Sequence, residues 1–168
     1  MKPLSVAMNA DSGEKTWLTP PRVVEALGPF DLDPCCPPKM RGEPPSRWCA
    51  APTTDSPWTG RASAYGATRH TDAKPCRSSA RWRNTRGGGI ALIFARTDTS
   101  AWQDLVFPVA HGVLFLRGRL RFHRADGTQG ETATAPSALV AYSAKDFARL
   151  RKSGLAGALV TLEGGMAK

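Results

Sequence analysis

The sequence has little of what would mark a membrane, secreted or metal-binding protein. No apolar run approaches the roughly 18 residues that a membrane-spanning helix requires, and residues 1–11 lack the charged segment and apolar core of a signal peptide. The four cysteines form no CxxC pair and have no histidines at matching spacing; they are Cys35, Cys36, Cys49 and Cys76. Free thiols are therefore favoured over a zinc site. We expect a soluble, cytoplasmic chain with no bound metal and no membrane contact.

Two further kinds of ligand site are also disfavoured. The glycine run at residues 87–89 is not followed by the Lys-Ser/Thr of a phosphate-binding loop, so we interpret it as a flexible lead into the next strand. His70, His111 and His123 are isolated in the sequence, which favours neither a catalytic nor a metal-binding role.

What the chain does have is positive charge. Its 168 residues are enough for one domain with a single core, and 41% hydrophobic with 22% charged residues is an ordinary globular composition. The net charge is +9, and more than half of it, +5, lies between Glu43 and Arg86. A basic excess of this kind favours a polyanionic partner, most simply nucleic acid.

Residues 14–40 carry a clear local pattern. Prolines 20 and 21 mark a helix start, apolar residues follow as far as Leu27, and a Gly-Pro pair then ends the helix. Residues 30–34 are typical of a short strand whose end carries the carboxylates of Asp31 and Asp33. Strand-to-loop edges of this kind are where α/β folds place ligands.

The stretch from residue 41 to residue 86 has a different texture. Pro, Arg, Ser, Thr and Ala dominate it, and Val, Ile and Leu are absent. Neither a helical nor a strand period is present, so the residues predict a basic, irregular segment. Such a long insert is unusual inside a compact domain.

Regular patterning returns after residue 89. Apolar runs predict strands at 90–95, 112–116 and 138–142, and a further strand at 120–123 that pairs with the second or third of these. Helices are expected over 100–110, with Trp102 facing inward, and over 146–152, whereas 155–162 fits either a strand or a helix. Strands that alternate with short helices indicate an α/β sheet.

Five strings of the sequence form an ordered set. They are Trp17-Leu18-Thr19-Pro20-Pro21 with Val23-Val24-Glu25-Ala26-Leu27, Phe30-Asp31-Leu32-Asp33-Pro34-Cys35, the stretch from Ala91 to Thr99, the stretch from Phe115 to Phe122, and Ala135-Pro136-Ser137-Ala138-Leu139-Val140. Together they cover nearly all of residues 14–40 and 89–147. In content and order the chain resembles the phage-type, Dam-like DNA adenine-N6 methyltransferases.

This resemblance implies a single α/β domain with a Rossmann-like, S-adenosylmethionine-dependent methyltransferase sheet and an irregular basic central segment. It implies S-adenosylmethionine as the methyl donor and adenine in double-stranded DNA as the acceptor. Carried onto this sequence, it assigns cofactor binding to Trp17, Thr19, Pro20, Asp31, Asp33 and Pro34. A solvated turn or helix cap is the alternative for the two aspartates, and a core contact is the alternative for Trp17.

The catalytic tetrapeptide of that family is missing. In the family, Asp/Asn-Pro-Pro-Tyr accepts hydrogen bonds from the target amine and stacks its ring on the flipped base. No such string occurs here, so no catalytic residue is assigned. If the possible codons of residues 67–71 are read in a shifted reading frame, starting at each third base, they permit Asn-Pro-Pro-Tyr. We hypothesise that roughly residues 43–86 are translated out of frame. Gene codons that exclude the tetrapeptide in that reading frame would refute this hypothesis.

Arginines near two predicted strands suit a DNA backbone. Arg117, Arg119 and Arg121 alternate, so an extended segment would place all three on one face. Arg96 and Asp98 follow directly after an apolar strand. We predict DNA contacts at Arg96, Arg117, Arg119 and Arg121. The alternatives are a solvated β-ribbon and, for Arg96 with Asp98, a structural ion pair.

The sequence thus predicts a site-specific DNA adenine-N6 methyltransferase of phage or prophage origin, with a flexible N-terminus at 1–13 and a domain at 14–168. Loss of the tetrapeptide removes both the amine acceptors and the stacking ring, so we expect poor methylation or none. Two alternatives remain open. One is a catalytically inactive, basic DNA-binding protein, and the other is a non-functional remnant that cannot fold.

Overall fold

The computed structural model describes residues 17–28, 65–67, 88–124 and 126–162. Its elements, in chain order, are β1 (Trp17–Leu18), α1 (Pro21–Leu27), β2 (Tyr65–Ala67), β3 (Ile90–Phe94), α2 (Ser100–Leu105), β4 (Gly112–Leu116), β5 (Arg121–Arg124), β6 (Gln129–Thr132), β7 (Ser137–Ala141), α3 (Ala144–Lys152) and β8 (Gly157–Thr161). The strands form a five-stranded sheet in the order β2-β3-β7-β4-β8 and a three-stranded sheet in the order β1-β5-β6.

The expected Rossmann-like sheet is wrong, because the described sheets are mostly antiparallel. Only β2 and β3 are parallel neighbours, whereas β3 with β7, β7 with β4, and β4 with β8 are all antiparallel. The cause is that two strand-helix-strand units, β3-α2-β4 and β7-α3-β8, alternate in the sheet. The strands of one unit run in the opposite direction to those of the other. The alternation of strands and helices along the chain is present, but strands adjacent in space come from different units.

The two faces of the five-stranded sheet bury different helices. On one face, Leu92, Leu114 and Leu139 pack with residues of α1 and α3, including Leu27 and Phe147. The opposite face carries a second apolar cluster around α2, made of Ala91, Trp102, Val106, Ala110, Val113, Ala138 and Val140. Because β7 lies between its neighbours and is covered on both sides, all five of its residues are buried.

Most local predictions are confirmed. The helix after Pro20, the strands at 90–94, 112–116 and 137–141, and the helix that ends at Lys152 all form. Trp102 is buried as expected, although α2 ends at Leu105 rather than continuing to residue 110. The segment at 155–162, which fitted two structures, forms β8.

The pairing predicted for residues 120–123 is wrong. Strand β5 pairs with β1 and β6 instead of with β4 or β7, and a register irregularity lies between Arg121 and His123. In the small sheet, the Trp17 ring packs against Gly130. It occupies the space that a side chain at position 130 would need, because a Cβ there would collide with Trp17 Cζ3. Neither β1 nor β6 was predicted, because both are short and polar residues dominate β6.

Helix α3 is fixed at its start by a buried carboxylate. Ser143 caps the helix by accepting a hydrogen bond from the backbone N–H of Asp146 (3.1 Å). The Asp146 side chain, only 1% exposed, accepts from the backbone N–H of Gly89 (2.7 Å) and from the Ser143 hydroxyl (2.5 Å). This joins the first turn of α3 to the residue that precedes β3.

Several predictions concern residues outside the described ranges: the flexible N-terminus at 1–13, the strand at 30–34 with Asp31, Asp33 and Pro34, the four cysteines, His70, and nearly all of the atypical segment at 43–86. Within that segment only β2 is described, as backbone paired with β3. None of the described helices is both long enough and apolar enough to cross a membrane.

Candidate nucleic-acid interface

Exposed arginines follow the carboxyl ends of two parallel strands. Strands β3 and β4 both run antiparallel to β7, so they are parallel to each other and end at the same edge of the sheet. Arg96 lies two residues beyond the end of β3, and Arg117 directly follows β4; both are exposed. With one strand between them, the two strands are roughly 10 Å apart.

The loop that carries Arg96 is held by its own helix. The indole Nε1 of Trp102 donates to the carbonyl of Phe94 (2.7 Å), and the Thr99 hydroxyl donates to the carbonyl of Arg96 (2.8 Å). The amide of Gln103 also donates to the carbonyl of Thr97 (2.7 Å). These bonds fix the backbone on both sides of Arg96, so Arg96 stands on a braced turn.

The guanidinium of Arg96 lies over an aromatic ring. Its Cζ is 5.9 Å from the ring centroid of Phe94, a cation–π distance. Phe94 in turn meets Phe122 edge to face, with the ring centroids 6.3 Å apart. The Arg96 guanidinium thus has an aromatic contact, and its ion pair with Asp98 stays an alternative prediction.

Arg117, Arg119 and Arg121 do not share one extended segment. Strand β4 ends at Leu116, the chain bends at Gly118 with φ +76°, and β5 begins only at Arg121. The alternation in sequence therefore does not become a common face. Arg121 is exposed on the side of β5 opposite to Phe122, whose side chain packs towards the core.

Arg119 has a structural contact of its own. Its Nη1 donates to the carbonyl of Ala133 (3.2 Å) and to that of Thr134. This ties the β4–β5 connection to the β6–β7 connection while leaving the arginine exposed and charged. We name the three residues Arg96, Arg117 and Arg119 the arginine edge, with Arg121 beside it on the small sheet.

The tip of the β5–β6 hairpin has a different electrostatic character. Hydrogen bonds from the side chain and backbone of Thr128 (2.7 and 2.8 Å) hold the pKa of the Asp126 carboxyl below its usual value, and the nearby Arg124 lowers that pKa further. Arg124 therefore has a carboxylate close to it. The positive charge of the hairpin tip is partly neutralised, unlike that of the arginine edge.

The residues assigned to cofactor binding divide into two groups. Asp31, Asp33 and Pro34 lie outside the described residues. Thr19 and Pro20 are buried, and Trp17 is half-buried. The Trp17 ring packs on Gly130.

Other chemistry has little support in the described part of the chain. It contains no group of three or more His, Cys, Asp or Glu side chains that is placed to hold a metal ion. Tyr142 donates to the carbonyl of Leu105 (3.2 Å), and burial raises the pKa of Tyr142 to about 12, so its hydroxyl is a poor general base. The sequence had not singled out the buried Asp146, which is held by backbone and serine donors.

Comparison of the chain with models of known protein families, with curated proteins and with solved structures found no match.

Proposed function

We propose that this chain binds double-stranded DNA through the arginine edge. The observation that supports the proposal best is the position of Arg96 and Arg117: two exposed cations, on braced backbone, at the same edge of one sheet. Guanidinium groups suit phosphate oxygens because they donate hydrogen bonds in a planar fork and stay charged at all physiological pH values. The net charge of +9 favours the same polyanion.

The roles within this surface differ. Arg96 and Arg117 are the proposed phosphate contacts. Arg119 contributes charge while its Nη1 braces two connections, and Arg121 flanks the surface on the outer face of β5. Contacts of this kind position DNA without reading its sequence.

Binding should depend on each proposed phosphate contact. We expect Arg96→Gln and Arg117→Gln each to weaken binding to a short DNA duplex by roughly fivefold at moderate salt. Each should also make the negative slope of log affinity against log salt shallower by about 1. Fluorescence anisotropy titrations at several salt concentrations measure both quantities.

Arg124→Gln is the matched control, because it removes the same charge from a strand of the same protein beside Asp126. It should change the slope by much less than 1. Equal slopes for all three variants would mean that binding follows net charge alone, and the proposed interface would be wrong.

On the basis of the five sequence strings, we further propose that the chain is an S-adenosylmethionine-dependent DNA adenine-N6 methyltransferase. Because its sequence lacks the catalytic tetrapeptide, it transfers methyl groups poorly or not at all. S-adenosylmethionine would supply the methyl group. The residues that would hold it are the six that the resemblance assigns: Trp17, Thr19, Pro20, Asp31, Asp33 and Pro34. No step of transfer is assigned to the described residues.

Titration with S-adenosylmethionine and adenine-containing duplex DNA tests this second proposal. Heat of cofactor binding and methyl transfer to DNA are followed together. Cofactor binding with slow or no transfer is the expected result. DNA binding without any cofactor heat would leave the chain as a DNA-binding protein and overturn the methyltransferase assignment.

A further inference from the structure

Helix α3 runs along one face of the sheet, from the end where β3 and β4 begin to the end where they finish. It starts just after β7, whose last residue pairs with Ile90 at the amino end of β3. It leads into β8, whose first residue, Gly157, pairs with Leu116 at the carboxyl end of β4. The last turn of α3 therefore lies towards the carboxyl ends of β3 and β4, where the arginine edge is.

The link after α3 touches the arginine edge directly. The backbone N–H of Arg117 donates to the carbonyl of Ala156 (2.8 Å). Lys152, the last residue of α3, is four residues before Ala156, so the two Cα atoms are at most about 14 Å apart. Successive phosphates of one DNA strand rise by roughly 3.4 Å, so this distance is within the span of a few phosphates.

The exposed charge of α3 has one sign. Its only carboxylate, Asp146, is buried, whereas Lys145, Arg151 and Lys152 are exposed. Arg151 and Lys152 are in the last turn, near the arginine edge, and Lys145 is in the first turn, at the far edge.

The orientation of this cationic turn is fixed by packing. Phe147 and Leu150 are buried in the core, which sets the rotation of the helix about its axis. Arg149 Nε donates to the carbonyl of Leu27 at the end of α1 (3.1 Å). The guanidinium of Arg151 lies over the Phe147 ring, with its Cζ 5.3 Å from the centroid. That contact orients the side chain without neutralising its charge.

We infer that Arg151 and Lys152 extend the DNA-binding surface, so that a duplex lying on the arginine edge also contacts the last turn of α3. The inference rests on the proposed DNA binding and adds a second element to the footprint. Cations in the last turn also stabilise α3 by interacting favourably with the helix dipole. That effect leaves the salt dependence of DNA binding unchanged.

Four single substitutions on one helix separate these roles. Arg151→Gln and Lys152→Gln should each make the negative slope of log affinity against log salt shallower by about 1 and weaken duplex binding by roughly fivefold. Lys145→Gln removes the same charge from the far end of α3 and should leave the slope unchanged. Arg151→Lys, which keeps the charge, should restore most of the affinity. Circular dichroism melts of all four variants report the effect on folding.

The outcomes are distinct. If the unaltered protein does not bind duplex DNA at any salt concentration, the proposed function and this inference both fail. Suppose that it binds, that Arg96→Gln and Arg117→Gln make the slope shallower, and that Arg151→Gln and Lys152→Gln behave like Lys145→Gln. The arginine edge then stands and the extension to α3 is wrong. A lower melting temperature with an unchanged slope likewise assigns the two residues to helix stability alone.

Discussion

Replacing Trp102 with alanine should lower the free energy of unfolding by about 3–5 kcal/mol. The side chain is 1% exposed, and its ring stacks on Phe115 with centroids 5.8 Å apart and is tilted against Phe107 at 5.4 Å. Alanine would leave a cavity between α2 and the sheet and would free the carbonyl of Phe94 from its indole partner. Urea unfolding followed by far-ultraviolet circular dichroism measures the loss.

Trp102→Phe separates packing from hydrogen bonding at this site. It keeps an aromatic ring against Phe115 but removes the Nε1 donor, so its cost should be clearly smaller than that of alanine. If the two variants were equally destabilised, the hydrogen bond to the Phe94 carbonyl, rather than ring packing, would dominate. The Arg96 loop would also lose one of its braces, so salt-dependent DNA binding of Trp102→Phe is a useful second measurement.

The second large effect is expected at Asp146. Asp146→Ala should cost about 3 kcal/mol, because it leaves the Gly89 N–H and the Ser143 hydroxyl without their acceptor in a buried place. The substitution also loosens the join between α3 and the residue before β3. Denaturant unfolding measured for this variant and the parent gives the difference.

Two neighbouring substitutions serve as controls for Asp146. Asp146→Asn keeps a side-chain oxygen that accepts from Gly89, so it should cost less than alanine. Ser143→Ala removes the helix cap and should cost about 1 kcal/mol. A cost for Asp146→Ala no larger than that for Ser143→Ala would show that the contact with Gly89 contributes little.

The same contact explains part of the glycine run at 87–89. Gly88 has φ +82°, and an ideal Cβ on it would lie 2.4 Å from Asp146 Oδ2 and 2.6 Å from Ser143 Oγ. Glycine is therefore required there by backbone conformation and by close approach. The sequence predicted a flexible lead into the strand, whereas the structure shows at Gly88 a position packed against a buried carboxylate.

Local structure was predictable where local chemistry decides it. Prolines at the start of α1 and Gly28 after its end set that helix, and the apolar runs of β3, β4 and β7 predict strands buried on both faces. These signals depend on a few neighbouring residues, so a single sequence contains them. The short strands β1 and β6 carry no such signal.

Strand partners were not predictable in the same way. The order of the sheet depends on which apolar faces meet across long stretches of chain, and the interleaving of β7 between β3 and β4 leaves no local trace. The prediction that the alternating arginines share one face is wrong for a related reason. Their pattern assumes an extended backbone, but Gly118 adopts a left-handed conformation and ends the extension.

The candidate interface was partly predictable. The sequence predicts Arg96 because it follows an apolar strand, and Arg117 because it alternates with Arg119 and Arg121. Both residues lie at one edge of the sheet, Arg117 because it directly follows β4. The cations of α3 were not predicted, because a basic last turn is an ordinary feature of helices. Only the crossing of α3 over the sheet brings Arg151 and Lys152 to that edge.

The position of β7 also constrains how the protein is made. Strands β3 and β4 are separated by β7, which follows both of them in the chain. Until the ribosome has released residues 137–141, β3 and β4 each keep an open edge with unpaired backbone groups, and such edges pair readily with other chains. The sheet therefore closes only after β7 has been made, through contacts between residues as distant as Ile90 and Ala141, and pairing between residues so far apart in the chain slows folding.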